Sequence, residues 1–259
     1  MEAIKKRKDF IQAVNFFQIL GTFRGDWKTE IKKLPEYLQN IIETEGGLYP
    51  RNIDIMLFKA LFIEELTELE PQYKNDANAN NTIDQLSQFA VRDPKFLANE
   101  NFSFKKGLLI LGKVGCGKTL IFRGYINLLK KFASYDAGGH WGKLDFSYLP
   151  AYMLTETFAK IGFDIFSVGV SKNQNEKISV MRERLFIDDI GAESIVSNFG
   201  NATNVVGEVF LRRYDAKVKT FATTNFDPKT LKQFYGDRVY SRITEMMNFL
   251  IMDGGDRRQ

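Results

Sequence analysis

Cysteine is almost missing from this 259-residue chain: Cys116 is the single one. No disulfide can close within the chain and no cysteine-rich zinc site exists, a pattern expected of a cytoplasmic protein in a reducing compartment. Histidine is equally scarce. His140 stands alone after Gly138-Gly139 and before Trp141, so it reads as a loop residue with no cluster around it to hold a metal. Long apolar runs are missing too. No stretch reaches the ~18 residues of a membrane span, and the charged start Met1 to Lys8 lacks a following secretion-type apolar segment with a small-residue cleavage site. Charge of one sign is also modest, at a formal +4 overall. Residues 1–82 hold 11 Lys+Arg against 13 Asp+Glu, leaving 25 against 19 for the remainder. The basic excess therefore lies in the later part of the chain, which suits weak, salt-sensitive contact with phosphate backbones.

What is present in quantity is core-forming material, with 44% hydrophobic residues and 23 phenylalanines. That length and composition suit one α/β core with a smaller helical appendage. The densest signal is at 107–119, Gly-Leu-Leu-Ile-Leu-Gly-Lys-Val-Gly-Cys-Gly-Lys-Thr. An apolar strand runs into a G-x-x-x-x-G-K-T loop, and Leu120, Ile121, Tyr125, Leu128, Leu129 and Phe132 then recur at helical spacing. A loop spanning Gly112, Lys113, Val114, Gly115, Cys116, Gly117, Lys118 and Thr119 cradles phosphates, because glycines let successive N–H groups turn inward. Lys118 supplies a point charge for the β- and γ-phosphates, the Thr119 hydroxyl suits Mg²⁺, and the following helix adds its N-terminal dipole. ATP and Mg²⁺ are the expected ligands. Cys116 within the loop reads as a small residue that the turn accommodates, with a redox-gated site as the alternative.

Three further motifs follow in order. Arg184-Leu-Phe-Ile-Asp-Asp-Ile-Gly-Ala-Glu193 is an apolar strand ending in two acids: Asp188 as a Mg²⁺ ligand, Asp189 to polarise the attacking water. Lys219-Thr-Phe-Ala-Thr-Thr-Asn-Phe226 is a second β-type run ending in Asn225. If its strand lies between the other two, that amide stands beside the γ-phosphate; otherwise it only begins the turn at Asp227-Pro228. In Tyr235-Gly-Asp-Arg-Val-Tyr-Ser-Arg-Ile-Thr-Glu-Met, Arg238 and Arg242 share a helical face. They are either solvated or able to reach a neighbouring subunit's nucleotide.

The ordered series GKVGCGKT, LFIDDIGAE, ATTNF and YGDRVYSRITEM resembles the AAA+ ATPases of the DnaC-type helicase loaders, with the IstB-type transposition helpers sharing the same core. The resemblance runs from about Ile83 to the C-terminus. It implies an α/β fold, an AAA+ P-loop core with a parallel sheet flanked by helices, working as a homo-oligomer with ATP at subunit interfaces. In that resemblance Gly112 to Thr119 match the Walker A loop, Asp188 and Asp189 the Walker B acids, and Asn225 sensor 1. Arg242 matches the arginine finger, with Arg238 the second candidate. About a dozen residues after Met247 are too few for the helical lid of other AAA+ proteins, so a lid domain is expected to be absent. The tail from Met252 to Arg258 resembles the family's short glycine-containing ending, and whether Arg257 or Arg258 touches nucleotide stays open.

The implied partners are a hexameric replicative helicase and single-stranded DNA, or, for the helper reading, a transposase and duplex DNA. Between Tyr148 and Arg184 there is room for two helices, and Lys160, Lys172, Lys177, Arg182 and Arg184 there suit either a DNA contact or an ordinary solvated face. Residues 1–73 read as a helical, partner-binding domain, with Phe10, Val14, Phe17 and Leu20 on one face and Phe58, Leu61, Phe62, Leu66 and Leu69 on another. Glu64, Glu65, Glu68 and Glu70 surround the second face, and Gly46-Gly47 with Tyr49-Pro50 separates the two. Residues 74–82 read as a linker and 83–259 as the ATPase domain.

Overall fold

The computed structural model describes residues 55–134, 146–173, 176–182, 184–198 and 201–257. The predicted face from Phe10 to Leu20, the Gly46-Gly47 break, His140 and Arg258 lie outside the described residues. The chain divides into two compact units, the smaller drawn from Met1–Tyr73, Leu86–Asp93 and Gly124–Asp145, the larger from Lys74–Gln85, Pro94–Arg123 and Phe146–Gln259.

In the smaller unit, helix α1 (Ile55–Leu69) buries Leu57, Phe58, Leu61, Phe62 and Leu66 at helical spacing. Glu65, expected among the solvated acids, is buried as well. Its carboxylate is paired with Lys131 Nζ at 2.5 Å, and Glu68 shares the same ammonium at 2.7 Å. Helix α2 (Ala77–Val91) begins in the larger unit and ends in the smaller one, and it takes up most of the stretch 74–82 that reads as a linker. Asp76 accepts the Ala79 N–H at 2.8 Å as a cap, so the Asn- and Asp-rich composition there is helix-start chemistry.

The larger unit is built on five parallel strands: β1 (Gly107–Leu111), β2 (Ser147–Pro150), β3 (Leu185–Ile190), β4 (Thr220–Thr224) and β5 (Met247–Ile251), in the spatial order β2-β3-β4-β1-β5. Helix α3 (Lys118–Ser134) follows β1, α4 (Ala151–Ile161) follows β2, α5 (Val205–Asp215) follows β3, and α6 (Pro228–Met246) follows β4. The chain steps from β1 to the far edge and then returns strand by strand. Because such crossovers are right-handed, that reversal puts α3 on one face and α4, α5 and α6 on the other. Side-chain alternation along β3 agrees. Phe186 stacks on Phe122 of α3 with ring centroids 4.2 Å apart, whereas Leu185 and Ile187 join Leu154 and Phe158 of α4, Phe210 of α5 and Ile243 of α6 in the main core. Every residue of β1 and β4 is buried, as strands covered on both faces require. This is the α/β sheet flanked by helices that the motifs implied.

The stretch before β3 holds two helices, α4 and a single short turn, and adds a hairpin that the sequence did not signal. After α4 come a 3₁₀ turn (Gly162–Asp164), one helical turn (Ile165–Val168) and an antiparallel hairpin of Val170–Asn173 with Glu176–Ile178. Lys160 ends α4, Lys172 and Lys177 fall on the two hairpin strands, and Arg182 and Arg184 precede β3.

Candidate nucleotide-binding and hydrolysis site

Three neighbouring strands, β3, β4 and β1, end side by side, and their C-terminal ends carry the acids, Asn225 and the glycine loop respectively. In open parallel sheets this edge is where ligands bind. The loop leaves β1 at Gly112 and enters α3 at Lys118. Gly115 at φ 80° and Gly117 at φ 100° adopt the left-handed backbone that turns the N–H groups inward. Lys113 and Val114 are exposed at the tip, whereas Cys116 and Lys118 are buried.

Lys118 Nζ donates to the carbonyls of Gly112 and Lys113, each at 2.8 Å, and to Asn225 Oδ1 at 2.7 Å. Burial lowers its pKa, partly offset by Cys116, Asp189 and Asp188. Asn225 joins the lysine to the acid: Nδ2 donates to Asp189 Oδ1 at 2.5 Å. The amide can face only one way, oxygen to ammonium and NH₂ to carboxylate. The strand order on which the sequence reading of Asn225 depended is the observed one: β4 lies between β1 and β3.

The two acids differ in surroundings. Asp188 is buried at 6% exposure. Its Oδ1 accepts from Thr119 Oγ1 at 3.0 Å and Thr223 Oγ1 at 2.5 Å, and its Oδ2 accepts from Tyr148 Oη at 2.9 Å. Asp189 is exposed and sits at φ 60°, its N–H held by Thr223 Oγ1 at 2.9 Å. The β3–β4 register shifts between Ile187 and Ile190, so the strand breaks stride where the acids stand. Burial pushes the Tyr148 hydroxyl well up, with Asp188 reinforcing it, so it stays a donor to that carboxylate. Thr119 and Asp188 thus put a hydroxyl and a carboxylate oxygen in contact, a hard donor set that fits Mg²⁺. No group of three or more His, Cys, Asp or Glu able to hold a metal occurs among the described residues.

The predicted arginines are not joined to this network by any hydrogen bond among the described residues. Both lie on α6 beyond Gly236, where non-helical angles (φ 77°, ψ 166°) interrupt the helix. Arg238 is exposed. Arg242 lies over the Tyr214 ring at 4.3 Å and donates to Tyr214 Oη and Glu245 Oε1, each at 3.1 Å.

The tail from Met252, in contrast, lies on the loop. Met252 N–H donates to Leu111 O at 2.8 Å and Arg257 N–H to Gly115 O at 3.0 Å. A Cβ on Gly115 would stand 2.1 Å from Asp256 Oδ1, so this glycine also admits the tail. The Arg257 guanidinium pairs with Asp76 at 2.6 Å. Sequence reasoning missed Tyr148, Thr223 and Asp256. Thr223 was visible within the Thr-Thr-Asn run, but nothing local marks Tyr148 or Asp256.

No protein-family model matches the chain. The replicative helicase loader DnaI of Bacillus subtilis (strain 168) is 27% identical over 180 residues, covering 63% of this chain and 51% of DnaI. The chain therefore spans about half the length of that curated relative. Similar solved structures include the DnaC helicase loader, with TM-score 0.47 and 19% identity over 71% of this chain and 95% of that one. A putative primosome component from Streptococcus pyogenes serotype M3 has TM-score 0.46 and 18% identity over 71% and 84%. A structure of DnaI has TM-score 0.44 and 24% identity over 75% and 93%.

Proposed function

We propose that this chain, similar to the DnaC-like AAA+ helicase loaders, binds and hydrolyses ATP and uses that cycle to place a hexameric replicative helicase on single-stranded DNA in the cytoplasm. The observation that carries the ATPase reading is the continuous hydrogen-bonded path from Lys118 through Asn225 to Asp189, with Thr119 bonded to Asp188 beside it. The loader reading rests on the similarity to DnaI. Residues 1–73 are proposed as the helicase-gripping domain.

In this mechanism the loop amides and Lys118 hold the β- and γ-phosphates, the lysine exchanging its carbonyl partners for phosphate oxygens. Thr119 and Asp188 would hold Mg²⁺, which neutralises charge on the phosphate oxygens when bound. Asp189, exposed and fixed by Asn225, is placed to accept the proton of an attacking water, and Asn225 orients it. Arg242, or Arg238 beside it, completes the site of an adjacent subunit by stabilising charge on the transferred phosphoryl.

The shared site has a direct test. Arg242→Ala should bind ATP within twofold of wild type while turnover falls by about 10³, the lower range for an arginine finger. Mixing in Asp189→Asn subunits, which keep the finger, should restore turnover; no rescue at any ratio would rule out a finger at Arg242. For the loader reading, the Asp189→Asn form held with ATP in its native host should retain the replicative helicase, identified by mass spectrometry. Retention of a transposase instead would replace this reading by the IstB-type one.

A further inference from the structure

Glu193 makes no contact with the phosphate loop or with the side chains of Asp188, Asp189 and Asn225 through its two hydrogen bonds, yet it is 5% exposed and both of its oxygens are engaged. Oε2 accepts the Gly191 N–H at 2.6 Å, and Oε1 accepts the Tyr235 hydroxyl. The two donors belong to different parts of the catalytic apparatus. Gly191, at φ 91°, closes the turn that Asp189 begins at φ 60°. A Cβ at that position would meet the Phe226 ring at 2.5 Å, and Phe226 follows Asn225 directly. Tyr235 immediately precedes the interruption of α6 at Gly236, beyond which stand Arg238 and Arg242. Its ring is fixed edge-on against Phe210 at 5.9 Å and Phe234 at 5.0 Å, and Phe234 in turn meets Phe226 at 5.4 Å.

Burying a carboxylate costs more than burying an apolar side chain of its size, and no cation among the described residues forms an ion pair with Glu193 to repay it. Burial accordingly pushes the Glu193 carboxyl above its usual range, against the pull of its two donors. Packing alone would be better served by a leucine. A carboxylate instead supplies two acceptors aimed in different directions, and each finds a donor on a segment that must keep its place during hydrolysis.

We propose that Glu193 is a positioning residue for ATP hydrolysis: by gripping the Gly191 amide and the Tyr235 hydroxyl together, it holds the Asp189 carboxylate and the arginine-bearing end of α6 in one fixed relation. The inference rests on the ATPase reading above. It makes Glu193 act on turnover rather than on nucleotide affinity, because neither of its partners belongs to the phosphate loop.

The test is steady-state ATP turnover, with and without single-stranded DNA, beside equilibrium binding of a fluorescent ATP analogue, for Glu193→Ala, Glu193→Gln, Tyr235→Phe and the Glu193→Ala/Tyr235→Phe double variant. Glu193→Ala and Tyr235→Phe should each lower kcat by about tenfold or more, the usual cost of loosening a supporting shell. KM and analogue affinity should stay within twofold. The double variant should fall no further than the worse single one, because both break the same link. Glu193→Gln should recover most of the activity: its Oε1 can accept from Gly191 and its Nε2 can donate to the tyrosine oxygen. Tyr235→Phe keeps the packed ring, so it and Glu193→Gln decide the matter should the alanine variant not fold. An unchanged kcat in Tyr235→Phe and Glu193→Ala with an active wild type overturns this inference alone, as does a raised KM at constant kcat. A wild type that never hydrolyses ATP overturns the ATPase reading and this inference together.

Discussion

Lys118→Ala is expected to weaken ATP binding by roughly a hundredfold and to take turnover below detection. The ammonium is the one cation on the path to Asn225 and Asp189, and a charge-assisted hydrogen bond contributes about 1.5–3 kcal/mol net. At the upper end that is about two decades in Kd. Turnover suffers further, since the same charge stabilises the phosphoryl oxygens in the transition state. Lys118→Arg should not rescue. The site is 6% exposed and two loop carbonyls converge on one point at 2.8 Å, a geometry for a compact ammonium rather than a planar fork. Titration calorimetry with ATP and a phosphate-release assay check both halves, and wild-type ATPase in Lys118→Ala would remove the functional reading altogether.

Arg213→Met should produce the largest loss of stability. Arg213 is fully buried at 0% exposure, and among the described residues no carboxylate is one of its hydrogen-bond partners. Its guanidinium is solvated by protein oxygens: Nε donates to Thr220 Oγ1 at 2.8 Å, Nη1 to Val180 O at 2.7 Å and Arg182 O at 2.8 Å, and Nη2 to Lys219 O at 2.6 Å. Burial pushes its pKa down to about 10, so it still carries its charge at pH 7. A methionine of similar reach removes the cost of burying that charge, but it cannot remove the acceptors. Replacing both sides of a buried polar contact by apolar groups can be neutral; here three of the four acceptors are backbone carbonyls, which no substitution deletes. With about 1–3 kcal/mol for each acceptor left dry, the net loss should be at least about 3 kcal/mol. For a chain of this size that lowers Tm by roughly 6–12 °C. A melting temperature within about 2 °C of wild type would show that water or a neighbouring donor takes over. The same contacts tie the turn before β3 to the start of β4, so the loss should also loosen the N-terminal ends of these two strands, opposite the ends that carry Asp189 and Asn225.

The phosphate loop was legible because its chemistry is local: the glycine spacing, Lys118 and Thr119 act within one turn of backbone, directly after an apolar strand. The Asp188–Asp189 pair and Asn225 were legible for a related reason, each ending an apolar run. The helix start at Ala77 was not legible in residues 74–82 because Asn and Asp serve linkers and helix caps alike, and the hydrogen bond from Ala79 to Asp76 is what marks the cap. The hairpin that carries Lys172 and Lys177 had no signal in the sequence, because its pairing and the burial of Ile178 and Val180 come from contacts between segments.

Other features have no local signature at all. Tyr148 meets Asp188 across 40 residues, Glu193 meets Tyr235 across 42, and Arg213 reaches Val180 across 33. By itself, then, the sequence determined which groups are the candidates to hold phosphates and a divalent cation, since that follows from residue type and spacing along one backbone segment. Only the tertiary structure decided that Asn225 bridges Lys118 and Asp189, that Thr223 and Tyr148 hold Asp188, and that Asp256 lies on the loop. Those contacts depend on strand order, which is set by how crossovers bury the two faces of the sheet, and the hydrophobic pattern of any one strand is the same in whichever order the strands are laid.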